Sequence, residues 1–477
     1  MQRQNYIGMI GRRKEWLELQ SYNDSSRAEF VALYGRRRVG KTYLVNQFFE
    51  SRFAFCITGV IDGDKSEQMA AFTKGLRAIG YTGRVPNKWM EAFFLLEDVL
   101  SAKLREGERC VIFIDELPCF DTPHAGFVKA LGHFWNSWAQ QHKQVFLVVC
   151  GSATSWMIKN IIDNHGGLHN RITHEMHLHP FNLCETEQML HSRGLQWDRL
   201  AITQIYMALG GIPYYLEMLN PTDSVASAID RLFFSKDATM ASEYERLFAS
   251  LFKDPAPYMD IIRALSTQKQ GITREELLRL TSQTDNGHFS EYLTNLIKCD
   301  FIRYYYTKGK KIKKTEGLYQ LTDMFVIFYN SFLTKPVTDE HFWSTHTNSP
   351  LLNNWYGLCF ERVCMAHIPQ IKRALGIEGI SVEYYSWRSR KEGVQIDLLL
   401  ERADRIVNVC EIKYSLNEFT IDKTEDLKIR NRCGAFMSET GTRYAVVPIM
   451  ISTFGMKTNM YSGGIYQQVT LDHLFEG

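Results

Sequence analysis

Phe30-Val-Ala-Leu-Tyr34-Gly35-Arg36-Arg37-Arg38-Val39-Gly40-Lys41-Thr42-Tyr43 decides the fold of this 477-residue chain. Five residues of strand character run into Gly-x-x-x-x-Gly-Lys-Thr, and helical spacing follows through Phe49. The strand–loop–helix context is what gives that spacing meaning. Gly35 and Gly40 permit backbone angles closed to other residues, so successive N–H groups can turn inward on phosphate oxygens. The backbone of Gly35, Arg36, Arg37, Arg38, Val39, Gly40, Lys41, Thr42 and Tyr43 is therefore the expected nucleotide-binding surface. Lys41 is placed to reach the β- and γ-phosphates and the Thr42 hydroxyl to ligate Mg²⁺, with the helix N-terminus adding partial positive charge.

Outward from the loop, Val111-Ile-Phe-Ile-Asp115-Glu116 is an apolar strand ending in two carboxylates. Asp115 is expected beside the magnesium through water, and Glu116 to polarise the attacking water. A further apolar run, Val145–Cys150, leads to Gly151-Ser152-Ala153. Ser152 reads either as a sensor of the γ-phosphate or as a turn serine. Arg171 reads either as a source of positive charge for the transition state or as a solvated side chain. The segment Tyr6–Leu19, with Ile10, Gly11 and Arg12, is expected to wrap the adenine. The strands Phe30–Tyr34, Arg52–Gly59, Cys110–Asp115 and Val145–Cys150 alternate with the helical segments Gln68–Ile79, Lys88–Arg105 and Gly126–His142. That alternation predicts an α/β fold, a parallel sheet with helices on both faces.

Residues 6–220 resemble the prokaryotic AAA-type ATPases of the branch near the signal-transducing STAND enzymes, a P-loop NTPase fold with a helical lid. The points of similarity are Ile10-Gly11-Arg12 with Glu15, the loop 35–42, Asp115-Glu116, and Gly210-Gly211-Ile212-Pro213. The resemblance implies ATP and Mg²⁺ as cofactors, Gly211 and Pro213 as lid residues near the base, and a chain that can form a homo-oligomer.

Composition narrows the rest. Lys and Arg total 55 against 53 Asp and Glu, a net charge of +2, so any nucleic-acid affinity must come from local patches. Hydrophobic residues at 45% and charged residues at 23% exclude a wholly disordered chain. No apolar run approaches the about 20 residues that span a bilayer, and the first residues lack the apolar core of a signal peptide. Ten scattered cysteines without a Cys-x-x-Cys pair suit reduced thiols in a cytoplasm. Membrane, secreted and fibrous classes are set aside.

Four parts are expected: an ATPase core over 1–180, a helical lid over 181–250, a third part over 255–333 and a fourth over 345–477. The polar stretch Lys335–Pro350 reads as a linker. The third part has the order of a winged helix: three helices near Tyr258–Leu265, Thr273–Leu280 and Ser290–Cys299, then Phe301–Tyr306 and Leu318–Asp323 around a lysine-rich turn. That turn, Lys308–Lys314, either lies along a DNA backbone or keeps a hairpin tip soluble. The aromatic group Tyr319, Phe325, Phe328, Tyr329 and Phe332 is expected to pack this part against its neighbour.

In the fourth part, Gln395–Glu401 and Ile406–Lys413 are apolar β runs joined by Arg402-Ala-Asp-Arg405. A hairpin centred near Asp404 places Asp397 opposite Glu411, with Lys413 on the face of Glu411. Two carboxylates that close imply a cation, and Mg²⁺ suits them, with Lys413 to orient or deprotonate water. Glu361 lies on an apolar helix face and needs such a partner. Glu361…Asp397-x13-Glu411-x-Lys413 resembles the PD-(D/E)XK restriction-endonuclease-like nucleases, although Gln395-Ile396 stands where that family's proline is found. The resemblance implies metal binding at Asp397 and Glu411, catalysis at Lys413 and support from Glu361. The whole chain resembles prokaryotic ATPases that append such a domain after a winged helix, with DNA as the implied partner. Two activities remain open: ATP-driven control of DNA binding and cleavage, and a nucleotide-dependent switch with a non-cutting last domain.

Overall fold

Continuous apolar runs become the buried middle of a five-stranded parallel sheet. Its strands are β1 (Glu29–Tyr34), β2 (Phe55–Thr58), β3 (Cys110–Asp115), β4 (Val145–Gly151) and β5 (His174–His177), in the order β2-β3-β4-β1-β5. Every residue of β3 and β4 is buried, as is nearly all of β1, because helices cover both faces. The edge strands differ. β2 alternates buried and exposed residues, and in β5 only Met176 is buried. The helices Lys65–Ala78, Trp89–Ser101 and Phe127–Ser137 bring Phe72, Trp89, Phe93, Leu131 and Trp135 onto the sheet. Arg109 ties the rim of this layer by donating to the carbonyls of Tyr22, Asn23, Ser25, Arg27 and Lys143.

This computed structural model describes residues 8–105, 107–164, 166–268, 271–306, 317–335, 338–389 and 393–477. The chain divides into two compact units, one running to Pro180 and including Ser250–Lys253, the other comprising Phe181–Ala249 and Asp254–Gly477. The expected contributions of Tyr6 and of the lysine-rich turn Lys308–Lys314 lie outside the described residues.

In the second unit, Asn182 caps the helix Leu183–Ser192 in a capping box with Glu185, and Thr273 caps Arg274–Thr281 with Glu276 in the same way. The helices Ala256–Ser266, Arg274–Thr281 and Gly287–Lys298 accompany a three-stranded antiparallel sheet of β6 (Ile272–Thr273), β7 (Ile302–Tyr306) and β8 (Gly317–Leu321), ordered β6-β8-β7. Part of the expected aromatic group packs outward: Phe328 lies 4.4 Å from Phe233 and 5.2 Å from Trp343, and Phe332 lies 5.4 Å from Trp355, while Tyr319 lies 4.6 Å from Tyr304 within the small sheet.

The expected linker is not a free tether. Residues 342–345 form a short helix whose Trp343 is buried, and the Asp230 carboxylate accepts from the Trp343 and Ser344 N–H groups at 2.8 and 3.1 Å. One buried tryptophan and one carboxylate outweigh the polar composition of the surrounding residues.

A second five-stranded sheet closes the chain: β9 (Val382–Arg388), β10 (Gln395–Arg402), β11 (Ile406–Lys413), β12 (Ala445–Ser452) and β13 (Gln467–Thr470), ordered β13-β12-β11-β10-β9. β9, β10 and β11 pair antiparallel, while β11, β12 and β13 pair parallel. The helix Lys423–Thr440 covers one face, with Cys433 and Phe436 against Trp387, Leu399 and Val409. Tyr356 and Phe360 of the helix Pro350–Ala366 meet Tyr414 just past the end of β11, at 5.2 and 6.0 Å between rings.

Candidate functional site

The loop after β1 is built from backbone angles that its glycines make accessible. Gly35 sits at φ 147 and Gly40 at φ 93, and Arg38 also takes a positive φ of 70. A Cβ on Gly35 would lie 2.3 Å from the Leu178 carbonyl oxygen, so close packing excludes a side chain there. The helix Lys41–Phe48 begins directly after Gly40. Lys41 is 6% exposed, and its Nζ donates to the Gly35 and Arg36 carbonyls at 2.9 Å each. Burial lowers its pKa from the ordinary lysine value, against the pull of nearby acids including Glu116 and Asp115. The result is a cation set among carbonyls with no carboxylate of the described residues hydrogen-bonded to it, next to the N-terminus of a helix: a seat for an anion.

The acids converge on the same end of the sheet. Thr42 Oγ1 donates to Asp115 Oδ2 at 2.7 Å, and Asp115 Oδ1 accepts the Glu116 N–H at 2.9 Å. β4 lies between β1 and β3, so Ser152, just past its end, faces the acidic pair. Ser152 Oγ donates to Glu116 Oε2 at 2.9 Å, which gives the serine a specific carboxylate to orient. Glu116 itself is held in the left-handed region at φ 45, ψ 47, a conformation that costs about 1–3 kcal/mol and clusters at working sites.

Other expected residues take different places. Arg12 is buried, and its guanidinium donates to the Val39 carbonyl at 2.9 Å, so it braces the loop from behind. Gly11 precedes it at φ 64, and Ile10 is partly buried. Arg171 is exposed and reaches Gln140 Oε1 at 3.5 Å rather than the loop or the acids. Pro213 opens the short helix Pro213–Leu216 in the second unit, after Gly211 at φ 65, where a Cβ would meet the Phe181 carbonyl at 2.2 Å.

Residues 9–219 match the family model described as an ATPase domain predominantly from Archaea. This segment is a P-loop ATPase domain. The chain is also 23% identical over 411 residues to an uncharacterized protein of Methanocaldococcus jannaschii, covering 85% of this chain and 87% of that one. An uncharacterized ATP-binding protein of the same organism is 47% identical over 47 residues, covering 10% of this chain and 80% of that one. Among solved structures, a Walker-type ATPase of Pyrococcus abyssi is similar with a TM-score of 0.46 and 17% identity, over 69% of this chain and 98% of that one. The ORC2 protein of Aeropyrum pernix follows with 0.40 and 15%, over 68% and 96%.

Beyond the ATPase domain, the second unit gathers a separate set of charges. β10 and β11 pair from Glu401 opposite Val407 to Leu398 opposite Cys410, and Asp397 and Glu411, which the sequence predicts to face each other, come next on their strands. A bulge between Ile396 and Leu399 interrupts the pairing of β10 with β9, a device that turns a side chain out of the regular alternation. Asp397 Oδ1 accepts from Gln395 Nε2 at 2.8 Å. Lys413 Nζ lies 3.0 Å from Glu411 Oε1 and 2.7 Å from Glu425 Oε1, and Arg432 ion-pairs with Glu411 Oε2. Burial pushes the Lys413 ammonium down, but its two carboxylate partners outweigh that and leave its pKa raised.

Glu361, Asp397, Lys413, Lys428 and Arg432 line one open groove of about 720 Å³. Glu361, Asp397 and Lys413 were expected from the sequence, and Lys428 and Arg432 were not. Glu425, Lys428 and Arg432 are spaced three and four residues apart on the helix Lys423–Thr440, so they share one face. That spacing was the available signal.

Proposed function

We propose that this protein hydrolyses ATP at the loop 35–42 and uses its nucleotide state to govern a DNA-directed C-terminal module. The observation that carries the first half is Lys41 held by the Gly35 and Arg36 carbonyls, beside the Thr42–Asp115 hydrogen bond and the Glu116–Ser152 pair. Magnesium fits this site: Thr42 and Asp115 offer oxygens on one edge, and the ion would neutralise charge on the transferred phosphate. Glu116, oriented by Ser152, is the group that takes a proton from the attacking water. Gly35 to Tyr43 bind the phosphates through their backbone. Gly11, Ile10 and Arg12 frame the loop, and Pro213 starts the lid. Arg171, exposed on its turn, is the residue available to a neighbouring copy in a homo-oligomer.

For the second half, the three helices with the β6-β8-β7 sheet suit a winged helix, and the mixed sheet bearing Asp397, Glu411 and Lys413, with Glu361 on the helix Pro350–Ala366, suits a PD-(D/E)XK-like centre. Glu361 and Asp397 fit a divalent ion by type and by sharing one groove, and Glu411 joins them if it leaves Arg432. Both oxygens of Glu411 are engaged by protein cations, and that pairing favours a second reading, a non-cutting interaction domain.

The test has two parts. ATP turnover should require Mg²⁺ and fall with Glu116→Gln. Linear and plasmid DNA with Mg²⁺ or Mn²⁺ should be cut by the natural chain and left intact by Asp397→Asn. No cutting under any metal, with ATPase intact, leaves the switch reading.

A further inference from the structure

The open groove of the second unit has two helical walls. The helix Pro350–Ala366 lines it with Asn353, Asn354, Gly357, Leu358 and Glu361, spaced as one helical face. The helix Lys423–Thr440 lines it with Lys428, Asn431 and Arg432. Gly357 runs against helix propensity. Glycine weakens a helix interior relative to alanine, and it is kept where something passes too close for a side chain. Within the chain nothing does: a Cβ added at Gly357 would meet no described atom within 4 Å beyond the backbone of its own helix. The space that the glycine keeps clear belongs to the groove. The opposite wall presents cations with their acids behind them. Lys428 is exposed and lies 3.5 Å from Glu425, while Arg432 donates Nη1 to Glu411, one bond of the several its planar fork can make. Glu411 and Glu425 are both buried and are not among the groove's lining. Lys428 and Arg432 stand one turn apart, a spacing close to that of successive phosphates along one nucleic-acid strand.

We propose that Gly357 marks where the sugar–phosphate backbone of one DNA strand lies against the helix Pro350–Ala366, with the amides of Asn353 and Asn354 on one side and Lys428 and Arg432 on the other binding its phosphates. This rests on the DNA-directed reading above and adds to it the residues that hold the strand. Amides, ammonium and guanidinium are the groups that bind phosphate oxygens, and contacts of that kind position a duplex without reading its bases. The glycine admits the strand where any side chain would stand in its path, and Glu361 follows one turn later on the same face.

Binding of a labelled DNA duplex to the full chain, read by fluorescence anisotropy in EDTA with and without ATP, tests the proposal. Gly357→Met puts a good helix former into the cleared space, so it should bind about tenfold more weakly and melt no lower than the natural chain. Gly357→Ala should show the same signs with a smaller loss, and it carries the test if the methionine disturbs the helix. Lys428→Gln should lower the slope of log affinity against log salt by about 0.9, the share of one phosphate contact. Duplexes of shuffled sequence should bind alike. Equal affinity in the natural chain and Gly357→Met, with DNA bound by both, overturns the groove assignment and keeps the DNA-directed reading. No binding by the natural chain in either nucleotide condition overturns both. Polyglutamate that binds the natural chain more tightly than the duplex does, and loses that affinity in Gly357→Met, overturns the strand as occupant in favour of an acidic polypeptide.

Discussion

The loop after β1 and the acidic groove of the last sheet treat charge in opposite ways. At the loop, a buried ammonium is tethered by two carbonyls, beside a helix N-terminus, in a backbone bent toward an anion. Beside the groove, Glu411 is already matched by Lys413 and Arg432, and Lys413 again by Glu425. The first site is preorganised for a ligand, and the second is satisfied by the chain. A ligand adds to the loop, whereas it must displace something at the groove.

The largest effect that sharpens this contrast is on turnover. Glu116→Gln removes the proton acceptor and leaves the phosphate cradle, so steady-state ATP hydrolysis should fall about 10²–10⁴-fold with nucleotide affinity retained. Retained turnover would detach the acidic pair from the loop's chemistry. Next is stability. Arg432→Met strips a partner from Glu411, which is 7% exposed, and should cost about 2–4 kcal/mol in a denaturant or thermal melt. Lys41→Met should leave the melting temperature within a few degrees, because among the described residues no carboxylate is hydrogen-bonded to Lys41. Equal losses at the two positions would break the comparison.

A third test separates the regions by pH. His367 is buried in the second unit, with Nδ1 2.7 Å from the Val363 carbonyl and Nε2 accepting the Leu183 N–H at 3.1 Å, so its partners fix the neutral ring. Burial pushes its pKa down to about 4. Between that value and about 6.5 the unfolded chain binds a proton that the native chain refuses, so stability rises with pH across the window. The contribution is fully present above about 6.5 and is lost as pH falls toward 4, by about 3 kcal/mol in all. His367→Gln should flatten that slope in melts taken across the window. The smallest effect is at Ser152→Ala, which releases Glu116 and should lower kcat about tenfold or less, with KM unchanged.

The same contrast explains what was legible in the sequence. The loop is written in consecutive residues, and β1, β3 and β4 are continuous apolar runs, so both could be read directly. β5, His-Glu-Met-His, buries one side chain of four and carries no such signal. The β10–β11 register followed from hairpin symmetry, because short antiparallel pairs are fixed by their turn. A cation that pairs with Glu411 comes from elsewhere: Arg432 stands on a helix after β11, and nothing local in the sequence ties it to that acid. The position of Arg12 before the first strand carried the expectation of wrapping the adenine, and its hydrogen bond to the Val39 carbonyl 27 residues on had no signal in the sequence.

Titration of ATP with Mg²⁺ into the natural chain and into Lys41→Ala, followed by calorimetry, bears most directly on the central claim. One saturable site in the natural chain, absent from a folded Lys41→Ala protein, is the predicted result. Equal binding by both chains would contradict the assignment of the loop.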